Sequence, residues 1–176
     1  MKKLLFSFFI YFIIANCYAE NKILYLDVTF LINQSDSGKY INNELKKIND
    51  KNVEEFIKQE KLIKSEEEKL LSQKNILKEE EFNNKVLELK NKYKSYKEYK
   101  DKKNNDLKTL RNNAANKLLE IINEILAEYS IKNQVNLIVD KKNIIIGKTE
   151  LDVTNDILEL LNNKIKKVEL KQWMIN

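Results

Sequence analysis

The 176-residue sequence predicts an α+β fold, with a small β body formed by the two end segments and a long antiparallel α-helical coiled-coil hairpin between them. Three observations predict it. Charged residues are 34% of the chain and proline is absent, so long helices lack their commonest interior breaker. Apolar residues step by threes and fours through much of residues 39–129, the spacing of one helical face. Short β-type runs sit near the two ends of that helical stretch.

The first residues are of another kind. Lys2 and Lys3 precede an apolar stretch from Leu4 to Ala15, followed by small residues at Cys17 and Ala19. This pattern predicts a secretory signal, residues 1–19, cleaved after Ala19; the apolar stretch falls short of the roughly 20 residues of a membrane span. Ile14-Ala15-Asn16-Cys17 partly resembles a lipidation motif, a minor alternative in which Asn16 fits poorly. Cleavage removes the single cysteine, and with no histidine in the chain, thiol catalysis, disulfides and Cys/His metal sites all disappear. The formal charge of +5 falls to +3 when Lys2 and Lys3 leave, which argues for no nucleic-acid partner.

Residues 20–38 open the body. Ile23–Val28 reads as a strand, and the polar run Asn33-Gln34-Ser35-Asp36-Ser37-Gly38 bounds it. A helix is expected from about Lys39, with Ile41, Leu45 and Ile48 on one face. The seam then thins: Phe56, Ile63, Leu70 and Leu77 recur every seven residues, with mostly Glu, Gln or Lys at the intervening half-heptad positions. Phe82, Val86, Leu89, Tyr93 and Tyr96 resume the 3-4 rhythm, which passes through Lys100 and Lys103 to Leu107, Leu110 and Ala114. It widens into Leu118 through Tyr129.

A single straight helix over 39–129 would hold the terminal strands ~130 Å apart at 1.5 Å per residue. The economical arrangement is a hairpin turning between residues 72 and 81, firm at its base and loosely glued outward. Charge divides by arm: residues 54–81 carry nine acids and six lysines, whereas 85–111 carry nine lysines, one arginine and four acids. The arms should attract each other, and the returning arm should keep a positive excess.

Residues 130–176 complete the body. Asn136–Asp140 and Ile144–Ile146 read as two strands of a hairpin turning at Asp140-Lys141-Lys142-Asn143. Thr154 is the expected N-cap of an amphipathic helix carrying Ile157, Leu158, Leu161, Ile165 and Val168, with Asp156 in its first turn. The placement of Trp173 is not legible.

Two stretches carry a resemblance. "LIVDKKNIIIGKTELDVTNDILELLN" resembles the C-terminal signature of the Skp/OmpH family of periplasmic chaperones, a strand, a turn, an apolar strand and an Asp-x-Thr element before a helix. "KILYLDVTFLINQSDSGKYINNEL" resembles the family's start, and Asp152-Val153-Thr154 is the most specific element. The resemblance implies a trimer with three arms projecting from a β body. It also implies ATP-independent holding of unfolded outer-membrane proteins between those arms, in the periplasm. Trimerisation would pair strand edges and bury Ile23, Leu26, Leu137, Val139 and Ile145. On the arm, Lys90, Lys92, Lys94 and Lys97 are the candidates for attracting acidic clients, and Tyr93, Tyr96 and Tyr99 for touching them, although Tyr93 and Tyr96 fit the seam better. No basic cluster matches the lipopolysaccharide site of some members. The expected partners are unfolded outer-membrane proteins and further copies of the chain, with at most weak contact at a membrane surface and no cofactor.

An enzyme is not expected: there is no histidine or glycine-rich phosphate loop, and Asp140, Asp152 and Asp156 are better explained by turn and cap duties than as a metal site. The competing function is a coiled-coil spacer or secretion-complex adaptor, which would favour a denser seam.

Overall fold

Asp27 ends the first strand and begins a helix. In the computed structural model, which describes residues 22–165, strand β1 spans Ile23–Leu26 and helix α1 follows at Val28–Gln34. The Asp27 carboxylate accepts the Phe30 N–H at 2.8 Å and supplies the N-cap. The signal segment, Val168 and Trp173 lie outside the described residues.

Ser35 breaks α1 and starts helix α2, Asp36–Ser72, its hydroxyl accepting the Gly38 N–H at 3.1 Å. The polar run at 33–38, expected as a boundary before a helix at Lys39, is therefore the junction of two helices. Polar residues that look like a loop are here a cap and a first turn. Gly38 is required there: a Cβ at this position would lie 1.9 Å from the Ile32 carbonyl oxygen.

The chain reverses after Ser72 and re-enters helix α3 at Glu79, which continues to Asn133. No side chain caps α3, but Glu79, Glu80 and Glu81 occupy its first turn, where the helix dipole favours negative charge. The far end stops at Gln134, in the left-handed region with φ 54°. There the Val135 N–H reaches back to the Ser130 carbonyl at 2.9 Å.

Strand β2, Leu137–Asp140, pairs in parallel with β1, Ile23 opposite Leu137 and Leu26 opposite Asp140. Parallel neighbours need a crossover connection, and the entire helical hairpin is that crossover. The two ends of the chain thus fold as one unit, as the sequence predicts.

The second β run does not form its strand. Asp140 accepts the Lys142 N–H and a short 3-10 turn follows at Lys141–Asn143, which does not send the chain back along β2. Ile144–Ile146 has no ladder partner; Gly147 lies against the Tyr25 ring, and the Tyr25 hydroxyl donates to the Lys148 carbonyl at 3.1 Å. A second 3-10 turn, Thr149–Leu151, precedes an isolated parallel bridge between Tyr25 and Asp152 on the other edge of β1. A run of isoleucines fits a strand, but pairing is decided by which edges are free, and Asp152 takes this one.

The last helix, α4, spans Thr154–Lys164. Thr154 does not act as its N-cap. Its hydroxyl instead accepts the Asp27 N–H at 2.9 Å and donates to the Asp152 carboxylate, which also accepts the Thr154 N–H. The Asp152-Val153-Thr154 element is thereby a clasp between the end of β1 and the start of α4. Partial burial raises the cost of charge on Asp152, but hydrogen bonds from Lys141 and Thr154 hold its carboxyl below the ordinary range.

One core joins these parts. Leu24, Leu26 and Leu31 meet Ile41 and Leu45 of α2, Leu110 through Ile125 of α3, and Val153, Ile157 and Leu161. Leu26 is fully buried inside this single chain, so it has no surface to offer another copy. Ile23 and Leu137 remain about half exposed (48% and 52%), Val139 is partly buried and Ile145 is fully exposed.

Candidate functional site

The arms change character along their length. Every buried residue of α3 lies at Leu110 or beyond, and on α2 past Leu45 only Asn52, Phe56 and Leu70 are buried. Apolar packing glues the base, because burial contributes about 25 cal/mol per Å² and little is buried farther out.

Polar contacts hold the middle. The Tyr96 hydroxyl donates to Glu60, and Lys100 pairs with the same carboxylate at 2.9 Å. The Tyr99 hydroxyl donates to Glu55, and Lys92 pairs with Glu66 at 2.7 Å. Both tyrosine rings meet Phe56 edge-on, with centroids 6.5 and 6.2 Å away, and the Lys100 ammonium sits 5.5 Å from the Phe56 ring centre.

These contacts perturb titration. The hydrogen bond from Tyr99 lowers the Glu55 pKa, and that from Tyr96 lowers Glu60. Burial and the Glu60 contact raise Tyr96, and the Glu55 bond raises Tyr99. Glu60 raises Lys100.

The sequence-predicted arm residues separate accordingly. Lys92, Tyr96 and Tyr99 turn toward the outgoing arm and are engaged by its acids. Lys94 lies 4.0 Å from Glu98 on its own helix. Tyr93 points out, 61% exposed, although the 3-4 rhythm assigns it to the seam, and Val86 is likewise exposed. The seam here uses Leu89, Tyr96, Lys100 and Lys103, which keep the predicted rhythm, while its positions Val86 and Tyr93 stand open. Among the described residues, Lys90 and Lys97 make no ion pair. Periodicity alone does not single out Glu55, Glu60 and Glu66 as partners; Glu60 and Glu66 hold acidic half-heptad positions of α2, and Glu55 adjoins Phe56.

The hairpin has two unlike flanks. On one, an open groove of about 680 Å³ is lined by Gln59, Leu62 and Glu66 of α2 and by Glu88, Asn91, Lys92 and Ser95 of α3. Its one lining cation, Lys92, is paired with Glu66. At 100° per residue, Val53, Ile57, Val86, Lys90, Tyr93 and Lys97 fall on the other flank.

Among the described residues no cluster of three or more candidate ligands could hold a metal, and no helix is long and apolar enough to cross a membrane. Asp140, Asp152 and Asp156 are spread over other duties: turn, clasp, and a 3.3 Å contact from the Tyr129 hydroxyl.

A two-strand parallel body closed by a clasp, with one long helical hairpin as its crossover, defines an arm-bearing scaffold with no described catalytic cleft. The family model for outer membrane protein (OmpH-like) matches residues 22–161, and the chain belongs to that family. Among solved structures, it is similar to a candidate outer membrane chaperone (OmpH-like) from Caulobacter crescentus, at 14% identity and a TM-score of 0.78, covering 86% of this chain and 89% of the other. No curated protein sequence matches.

Proposed function

We propose that the chain is an ATP-independent holding chaperone of the periplasm that keeps unfolded outer-membrane proteins from aggregating, working as a homotrimer with its arms around the client. Family membership supports a chaperone role in general terms. The observation that carries the finer reading is the arm itself, joined by apolar packing at its base and by exposed polar contacts farther out. Such an arm can bend to fit many clients, whereas a spacer binding one folded partner would profit from a continuous apolar seam.

The body supports self-association. Beyond β2 no strand pairs with its outer edge among the described residues, and Ile23, Leu137, Ile145 and Ile146 of the body are exposed. The export signal at residues 1–19 remains part of the same reading.

The test is dilution of a urea-unfolded β-barrel membrane protein into buffer with the processed chain and no nucleotide. Stoichiometric trimer should suppress light scattering. Scattering that develops as in buffer alone would refute the holding role.

A further inference from the structure

The two flanks of the hairpin divide labour. We infer that clients are engaged by the flank bearing Val53, Ile57, Val86, Lys90, Tyr93 and Lys97, and not by the grooved one. The inference rests on the holding function above and names the surface that performs it.

Apolar exposure is the first observation. Ile57 and Tyr93 are 60% and 61% exposed, and Val53 and Val86 are also open. They come from both arms, so the patch bridges the hairpin and extends along it. The second observation is charge. Lys90 and Lys97 flank Tyr93 on neighbouring helical turns and have no ion pair among the described residues, whereas Lys92, the cation lining the groove, is committed to Glu66. A cation already paired with a carboxylate has little attraction left for a second anion; a free one keeps its long-range field.

Free ammonium groups set beside exposed apolar side chains fit one occupant. It is an extended, unfolded segment in which apolar residues alternate with polar ones and carboxylates lie close by. The apolar side chains of such a segment can rest on Ile57 and Tyr93, while its carboxylates reach Lys90 and Lys97. The grooved flank offers Leu62, but its one lysine is neutralised by Glu66 and Glu88 adds an unpaired carboxylate, so among the described residues nothing there attracts the carboxylates of the same segment.

Photo-crosslinking side chains placed singly in the full-length processed chain test this. Positions Ile57 and Tyr93 report one flank, and Leu62 and Ser95 the other. The client is a urea-diluted acidic β-barrel protein, and scattering is followed in the same samples. Crosslinking should be at least threefold stronger from Ile57 and Tyr93, and Lys90→Ala with Lys97→Ala should slow capture at low salt but not at high salt. Equal or stronger crosslinking from Leu62 and Ser95, with scattering still suppressed, would overturn the flank assignment and leave the holding function intact. Unsuppressed scattering with every variant and with the parent chain would remove both.

Discussion

Two residues sit where backbone geometry leaves little choice. Gly38 has no room for a side chain against the Ile32 carbonyl, so Gly38→Ala must push α1 from α2. Overpacking of this kind costs about 1–3 kcal/mol, and more where the obstacle is backbone. Urea unfolding should show a lower midpoint with unchanged slope. Gln134 is the reverse case, since a glutamine holds the left-handed position that glycine adopts without penalty. Gln134→Gly should therefore raise the thermal midpoint, by a gain of up to about 1 kcal/mol. Neither residue announced itself. Gly38 looked like loop punctuation because Ser35, Asp36 and Ser37 surround it, and Gln134 is no usual stop signal. Their roles come from contacts with Ile32 and Ser130, which no local pattern records.

At the scale of elements, the long helices were legible because periodicity over dozens of residues accumulates, and Phe56, Leu70, Leu110 and Ala114 do face inward. The failures were short. Ile144–Ile146 has the composition of a strand but finds no edge, and Tyr93 keeps the heptad rhythm yet stands exposed between the inward-facing Leu89 and Tyr96. Of the arm candidates, charge pattern marked the returning helix as basic but could not separate the committed Lys92 from the free Lys90 and Lys97.

The middle of the arm carries its own pH dependence. Glu55 and Glu60 have lowered pKa values, so their contribution is complete above the ordinary glutamate range and is lost as the pH falls through the lowered values. Tyr96, Tyr99 and Lys100 are raised, so theirs is present below the ordinary values and is lost as the pH rises through the raised ones. Amide-exchange protection, corrected for intrinsic rates, should fall on acidification first in residues 52–66 and 92–103 and only later around Leu118 and Ile122. Tyr96→Phe with Tyr99→Phe should weaken that acid response in the middle segment. Simultaneous loss along the whole arm would show that carboxylate contacts do not hold its middle.

For the whole molecule, the parallel pairing of β1 with β2 makes the hairpin an excursion from a body that closes on itself. With Leu26 at the centre of one chain's core, the trimer we propose would rest on Ile23, Leu137 and the Ile144–Ile146 segment. Light scattering should give about three times the chain mass. Ile145→Lys and Leu137→Lys should lower it toward one chain, without loss of helical content, because neither side chain supports the core.

The most direct test is a distance between the two ends. Spin labels at positions 23 and 137, in processed chains diluted with unlabelled protein, probe residues that face each other across neighbouring strands. With strands about 4.8 Å apart, the labels should lie within ~20 Å of one another. A distance beyond ~60 Å, or no measurable coupling, would mean that the helices form an extended rod and that the ends never meet.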